Sequence, residues 1–82
     1  MASEEKLQGV LGALKELEAD TSLPKNVKAK LITIIKLLEA GSEVSMKVSR
    51  ALHELEALAD DATTPAETRM QLFSIQSMLE VL

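Results

Sequence analysis

Residues 1–41 and residues 42–82 of this chain are two copies of one unit. Shifting the sequence by 41 positions places identical residues on one another along both halves. The identical pairs are Leu11 with Leu52, Leu14 with Leu55, Leu17 with Leu58, Asp20 with Asp61, Pro24 with Pro65, Leu31 with Leu72, Ile34 with Ile75, Leu38 with Leu79 and Glu39 with Glu80. A period of about 40 residues is typical of stacked pairs of helices. The repeat predicts one domain built from two hairpins.

Each unit contains two stretches in which apolar residues recur every three or four positions, as in an amphipathic helix. The four stripes are Leu7, Val10, Leu11, Leu14 and Leu17; Val27, Leu31, Ile34, Ile35 and Leu38; Val48, Ala51, Leu52, Leu55 and Leu58; and Thr68, Leu72, Ile75, Leu79 and Leu82. Residues 32–35 are all β-branched, but they lie in a run of about 16 residues with helical spacing, which favours a helix. The predicted fold class is all-α: a four-helix bundle made of two repeated helical hairpins. HEAT-like stacking of the hairpins is the alternative packing.

Several residues carry signals for helix ends and corners. We predict Ser3, Ser45 and Thr64 as N-caps, Pro24 and Pro65 as first helical residues, Glu67 as the partner of Thr64 in a capping box, and Gly41 as a left-handed residue after the second helix. Asp20 and Asp61 are expected to shape the two corners through hydrogen bonds from side chain to backbone.

The residues needed for catalysis or for a metal site are missing. The chain has no Cys, which excludes a disulfide framework and a Cys-based zinc site. His53 is the only histidine; Ala57 stands where a zinc-protease helix has its second histidine, and Arg50 stands where a di-iron bundle has a glutamate. We interpret His53 as a surface residue. The sequence predicts a protein that is not an enzyme and needs no cofactor or metal.

Some apolar residues lie outside the four stripes, on the even-numbered helices. They are Ile32, Leu37, Met70, Phe73 and Met78. On a helical wheel Ile32 lies about 140 degrees from Val27, so the second helix is apolar beyond one face. Met and Phe are favoured at adaptable contact surfaces. We predict that these five residues form an interface, most simply in a homodimer. The alternative is that Ile32 and Phe73 fill a broad core between the hairpins.

A basic segment on the second helix suggests a different function. Its lysines, Lys25, Lys28, Lys30 and Lys36, could contact phosphates of RNA or of the ribosome. The net charge of -4 and the absence of Tyr and Trp argue against a general nucleic-acid binder, which adds a basic surface and aromatic stacking. RNA contact is therefore the alternative function, and a self-associating interaction or scaffold module is the preferred one.

The two corner segments resemble a known family. Residues 20–28 read DTSLPKNVK and residues 61–69 read DATTPAETR. They are similar to the Asp-Thr-x-x-Pro-Arg-Asn-Ile-Arg and Asp-Pro-x-x-Pro-x-x-Thr-Arg segments of uncharacterised protein family 0147, and residues 28–31 and 71–73 depart from the family pattern. The chain is identified as a divergent member by this resemblance, which implies an archaeal, cytoplasmic, all-helical protein and brings no activity with it. The lack of a long apolar run or a secretion signal agrees with a cytoplasmic location and no membrane contact.

Overall fold

The four apolar stripes fold as four α-helices. The structure is a computed structural model that describes the backbone of residues 2–82 and the side chains of residues 4–82. The helices are α1 (Ala2–Glu18), α2 (Lys25–Glu39), α3 (Val44–Ala59) and α4 (Ala66–Glu80). Residues 2–82 contain no strand. The predicted all-α class is confirmed, and residues 32–35 lie inside α2.

Each helix packs against two neighbours, so that the four close into a ring. The close contacts join α1 to α2, α2 to α3, α3 to α4 and α4 back to α1, while in the described residues no Cα atoms of the diagonal helices come within 8 Å of each other. Stacking the two hairpins as equivalent layers would instead place α1 on α3 and α2 on α4. The contacts therefore decide for the four-helix bundle over the HEAT-like alternative.

Equivalent residues of the two repeats fill the centre of the bundle. Leu14 and Leu55 form one repeat pair and Leu31 and Leu72 form another, and all four have no exposed surface. Burial of a leucine side chain contributes about 1.5 to 3 kcal/mol, so each of these four positions adds to the stability of the bundle. The predicted stripes agree with the core, with Val48, Leu52 and Leu82 half-buried at its edge.

The two prolines precede their helices instead of starting them. Pro24 and Pro65 have extended backbone, with φ near -58° and ψ of 149° at Pro24, and each carbonyl accepts the first intrahelical hydrogen bond. The Pro24 carbonyl accepts from the N–H of Lys28 at 3.1 Å, and that of Pro65 from the N–H of Arg69 at 2.9 Å. The prolines are N-cap residues, and the helix starts predicted at them were one residue too early.

The predicted capping box at the start of α4 is wrong. The hydroxyl of Thr64 is buried and donates to the carbonyl oxygen of Leu58 at 2.7 Å, whereas the N-cap position of α4 is taken by Pro65, without a hydrogen bond from a side chain. The Thr64 hydroxyl satisfies a carbonyl near the end of α3 instead. Glu67 remains in the first turn of α4, where a negative charge favours the helix dipole.

Of the three other residues predicted to end or cap a helix, two do not have the predicted role and one cannot be compared. No described residue has a positive φ, so Gly41 does not adopt the predicted left-handed conformation; the chain leaves α2 at Ala40 with φ of -65° and ψ of 155°. Ser45 lies inside α3, and its hydroxyl donates to Oε1 of Glu43 at 3.1 Å, so it is not an N-cap. The side chain of Ser3 lies outside the described residues.

Two lysines at equivalent positions of the repeats donate hydrogen bonds to carbonyl oxygens just after α2 and α4. Lys47 is 9% exposed, and its Nζ donates to the carbonyl oxygen of Ala40, after α2, at 3.0 Å. Its repeat equivalent Lys6 donates to the carbonyl oxygen of Val81, after α4, at 3.5 Å. A cation beside the last carbonyls of a helix satisfies free acceptors and favours the helix dipole. Each repeat thus closes the last helix of the other.

The corner aspartates act as predicted. Oδ1 of Asp20 accepts from the N–H of Ser22 at 2.9 Å and from its hydroxyl at 2.7 Å. Oδ1 of Asp61 accepts from the N–H and the hydroxyl of Thr63 at 2.9 and 2.8 Å. These hydrogen bonds favour the charged carboxylates and lower the pKa of both groups from the ordinary value of 3.8. The corners are linked because Nδ2 of Asn26 donates to Oγ1 of Thr63 at 2.8 Å.

Candidate interaction surface on helix α4

One side of α4 presents apolar and small residues to solvent. We define the α4 outer face as Ala66, Met70, Phe73 and Ser77, which follow one another at spacings of four, three and four residues and are all exposed. The side chain of Met70 is 71% exposed and that of Phe73 is 52% exposed. The next position in this spacing is Glu80, which is exposed and charged, so the uncharged part of this side ends at Ser77. Large exposed apolar side chains that share a face typically mark a contact surface.

The equivalent side of α2 is different. We define the α2 outer face by the repeat partners of the four α4 residues: Lys25, Ala29, Ile32 and Lys36. Two of these four are lysines, and Ile32, at 39% exposed, is the only large apolar residue among them. Lysine head groups keep a helix face hydrated. The two repeats therefore share inward residues but not outward ones.

The five residues predicted as an interface separate into two sets. Met70, Phe73 and Met78 lie on α4, whereas Ile32 and Leu37 lie on α2, and in the described part of the chain these two helices are diagonal to each other and not adjacent. Leu37 is half-buried and packs against the core. The exposure of Ile32 and Phe73 goes against the alternative that both fill the core. The α4 set is the more exposed of the two.

An open groove runs between α1 and α4 on one side of the α4 outer face. It encloses about 290 Å³. Its lining residues are Ala13, Glu16, Leu17, Asp20, Gln71, Ser74, Ile75 and Met78. Leu17 and Ile75 belong to the core and form an apolar floor. Ala13 and Ser74 are too short to close the groove, which can therefore accept an apolar side chain. We call it the α1/α4 groove.

A second groove, on the other side of the α4 outer face, is more polar. It lies between α3 and α4 and encloses about 340 Å³. Its lining residues are Glu56, Ala59, Asp60, Phe73 and Gln76. Nε2 of Gln76 and Nε of the nearby Arg69 are buried without a hydrogen-bond partner, although Nη2 of Arg69 donates to the carbonyl oxygen of Thr64 at 3.2 Å. We call it the α3/α4 groove.

The four candidate phosphate-contacting lysines do not share one face. Lys25 and Lys36 point outward from α2. Nζ of Lys30 lies 3.9 Å from Oε2 of Glu54 on α3. Lys28 lies close enough to Asp20 to add to the lowering of its pKa, which is due mainly to the hydrogen bonds from Ser22. Acids thus partly neutralise two of the four lysines.

The described residues bring no metal-binding group together. Nowhere in residues 4–82 do three His, Asp or Glu side chains lie close enough to hold an ion. His53 is exposed on α3, as interpreted from the sequence. No helix among residues 2–82 has both the length and the apolar character needed to cross a bilayer.

Comparison with known proteins supports the resemblance of the corner segments. The model of the uncharacterised protein family UPF0147 matches residues 1–82. The chain belongs to this family. A UPF0147 protein of Methanocaldococcus jannaschii is 36% identical over 78 residues, which cover 94% of this chain and 84% of the relative. A UPF0147 protein of Thermoplasma volcanium is 34% identical over 74 residues, which cover 89% and 83%. Both relatives are archaeal.

The same fold occurs in a solved structure. The crystal structure of the unknown function protein MMP1188 superposes on this UPF0147 chain with a TM-score of 0.90 and 28% sequence identity. The superposition covers 96% of this chain and 91% of that protein. The four-helix bundle is therefore found in a related protein over nearly its whole length. The names of these relatives carry no activity or partner.

Sequence reasoning missed two parts of this surface in the UPF0147 chain. Ala66 and Ser77 were not recognised as members of the α4 outer face, although Lys25 and Lys36 occupy the equivalent positions of α2. The loss of both lysines in the second repeat is a signal that was present in the alignment of the two halves. The α1/α4 groove could not be found in this way, because it depends on which helices are neighbours.

Proposed function

We propose that this UPF0147 chain is a non-enzymatic interaction module that self-associates through the α4 outer face. The observation that carries the proposal is the exposure of Met70 and Phe73 in a row of uncharged residues that extends from Ala66 to Ser77 and ends before Glu80. Met and Phe are enriched at protein interfaces, where their burial removes apolar surface from water. A chain of 82 residues also has a small core, so burial between copies would add to its stability.

A closed dimer is the simplest form of this association. In a two-fold pair the same face of each chain contacts the other, and the assembly ends at two copies. The α4 outer face lies on one helix, so it can meet the α4 outer face of a second copy. Ile32 and Leu37 lie on α2 and take no part in this pair.

The alternative function, contact with RNA or the ribosome, has less support. Lys28 lies beside Asp20 and Nζ of Lys30 lies 3.9 Å from Glu54, so among the described residues only Lys25 and Lys36 of the four keep a charge that no nearby acid offsets, although Lys30 is also exposed. Phosphate binding by so few lysines would be weak and steeply salt-dependent. Titrating single-stranded RNA at several salt concentrations tests this alternative: tight binding that weakens with salt would favour it over self-association.

The test of the proposed function compares two equivalent residues. Phe73 and Ile32 occupy the same repeat position, so Phe73→Ala and Ile32→Ala form a matched pair. We expect Phe73→Ala to raise the dimer dissociation constant at least tenfold, measured by sedimentation equilibrium, because it removes an aromatic anchor from the contact. We expect Ile32→Ala to leave that constant unchanged. Equal effects of both variants, or a wild-type chain that stays monomeric up to millimolar concentration, would refute the proposal.

A further inference from the structure

We infer that the partner on the α4 outer face is a second copy of this chain, docked across both α1 and α4, with Met70 of each copy in the α1/α4 groove of the other. This inference rests on the proposed function and goes beyond it, because it specifies the second helix of the interface, the direction of the pair and the site that receives the anchor. The same surface carries both an apolar knob and an apolar recess. That combination suits a two-fold contact, in which each copy gives and receives the same side chain.

The size of the contact requires a second helix. A helix of 15 residues is about 22 Å long and about 10 Å wide, so α4 alone offers a strip of roughly 220 Å² in projection. A stable dimer buries about 800 Å² of accessible surface on each partner. A neighbouring helix of similar length doubles the strip, and side chains that interdigitate add to the accessible area. The interface must therefore extend onto α1 or α3.

The chemistry of the two grooves selects α1. Both grooves are lined by two carboxylates and one amide, namely Glu56, Asp60 and Gln76 in the α3/α4 groove and Glu16, Asp20 and Gln71 in the α1/α4 groove. They differ in the surface between these groups, which is mainly polar in the α3/α4 groove and mainly apolar in the α1/α4 groove. The α1/α4 groove has an apolar floor, Leu17 and Ile75, beneath short walls. Ser74 lines that groove, and Met70 lies one turn before it on α4. When two α4 helices pack antiparallel, Met70 of one copy can therefore lie beside Ser74 of the other.

Gly9 extends this surface along α1. It lies one turn before Ala13 on the same side of the helix, and a Cβ built on Gly9 would meet nothing within 4 Å. A glycine inside a helix is destabilising relative to alanine, and the bundle itself gives no steric reason for it. The close approach of a second helix would supply that reason, since a small residue lets two backbones come near each other.

Charge also favours the antiparallel direction. Glu16 and Asp20 lie at one end of the α1/α4 groove. Lys6 does not line this groove but lies toward the other end of the α1–α4 pair, where its Nζ donates to the carbonyl oxygen of Val81. A two-fold pair with antiparallel α4 helices brings Lys6 of each copy to the acidic end of the other. A parallel pair would oppose Glu16 to Glu16, and like charges in contact are unfavourable.

The first test places a larger side chain on α1. In Gly9→Gln the new side chain has open space in the monomer and a higher helix propensity, so we expect the melting temperature measured at low concentration to stay the same or rise. We expect the dimer dissociation constant to rise at least tenfold. Arg50→Gln, at the repeat-equivalent position on α3, is the matched control and should leave dimerisation unchanged.

The outcomes separate this inference from the function on which it rests. If Gly9→Gln dimerises as tightly as the wild type, the interface does not reach α1, and the inference is wrong while self-association stands. If the wild type shows no dimer at any concentration, both are wrong. Loss of dimer with an unchanged or higher melting temperature supports the inference, because damage to the fold would lower that temperature.

The second test uses the absence of cysteine in the chain. Ser74→Cys and Thr33→Cys introduce a single thiol at repeat-equivalent exposed positions on α4 and α2. With a short bismaleimide cross-linker we expect covalent dimers from Ser74→Cys alone and none from Thr33→Cys alone. Dimers formed only when the two variants are mixed would mean that α4 of one copy docks on α2 of another, and would overturn the two-fold arrangement.

Discussion

Helices α2 and α4 occupy equivalent places in the two repeats, and they match on the inside and differ on the outside. Leu31 and Leu72 are both fully buried, and Ile34 and Ile75 are buried beside them. On the outside, the lysines at positions 25 and 36 of α2 are replaced by alanine and serine in α4. The fold needs only what the repeats share. The outward residues differ between the repeats, and only those of α4 form an exposed apolar row. For that reason the proposed contact is assigned to α4.

A second difference concerns the lysines that close the helices. Lys47 is almost fully buried against the end of α2, whereas Lys6 is exposed and lies farther from its carbonyl partner after α4. The end of α2 is thus held by a stronger interaction than the end of α4. Four predictions test these comparisons.

The largest effect is expected from the shared core. Leu31→Ala and Leu72→Ala should each lower the free energy of unfolding by about 2 to 5 kcal/mol, because each leaves a cavity at a fully buried position. The two losses should agree within about 1 kcal/mol, since the sites are equivalent. Urea unfolding followed by circular dichroism measures both. A Leu72→Ala variant as stable as the wild type would contradict the claim that the two repeats contribute equivalent core residues.

A smaller difference is expected between the two capping lysines. Lys47→Met keeps the apolar stem but removes the donor to the carbonyl of Ala40, and it should cost about 1 to 2 kcal/mol. Lys6→Met should cost less than about 0.5 kcal/mol, because the group is exposed. The same unfolding experiment compares them. Equal costs would show that burial of Lys47 does not strengthen its interaction.

Exchanging the outer faces sharpens the comparison further. The triple variant Lys25→Ala, Ala29→Met, Lys36→Ser gives α2 the residues of the α4 outer face, with Ile32 in place of Phe73. We expect a second contact surface and a solution mass above that of a dimer. The reverse change, Met70→Ala, should raise the dissociation constant roughly tenfold, which is about 1.4 kcal/mol. An α2 exchange without any effect on mass would mean that these residues do not make a contact surface.

The smallest effect is expected at the corners. The pKa values of Asp20 and Asp61 are lowered in the folded chain, so their carboxylates contribute stability above the ordinary pKa of 3.8, and this contribution is lost as pH falls through the folded values. We expect the wild type to be more stable than Asp20→Ala or Asp61→Ala at pH 7. The difference should shrink as the pH is lowered from 4 to 2. A stability difference that does not change with pH would mean that the charge of the carboxylates does not contribute to it.

The buried stripes and the corners could be predicted because their signals are local. Apolar spacing identified Leu31 and Leu72 as core residues, and the position of an aspartate at each polar corner predicted its hydrogen bonds to the backbone. Thr64 was assigned wrongly because its hydroxyl bonds to Leu58 across a turn, and the sequence offers the first turn of α4 as an equally good partner. The hydrogen bond from Lys47 to Ala40 could not be predicted, because it depends on the path of the connection between α2 and α3.

The candidate surface was predicted only in part, for a geometric reason. Exposed apolar residues were found by their position outside the stripes, and Met70 and Phe73 are indeed exposed. The prediction that Met70 and Phe73 share one interface with Ile32 did not take into account that α2 and α4 lie diagonally across the bundle. Two packings were compatible with the same stripes, and only the contact between α1 and α4 decides which residues can share a face.

Methionine oxidation in the wild-type chain tests the central claim most directly, because the molecule carries its own control. Met70 on the α4 outer face is 71% exposed and Met46 on α3 is 61% exposed, so both should react with dilute peroxide at similar rates in the monomer. Mass spectrometry of peptides gives each rate over a concentration series. We expect the rate at Met70 to fall as concentration rises while that at Met46 stays constant. Rates that remain equal at every concentration would contradict the assignment of the contact to α4.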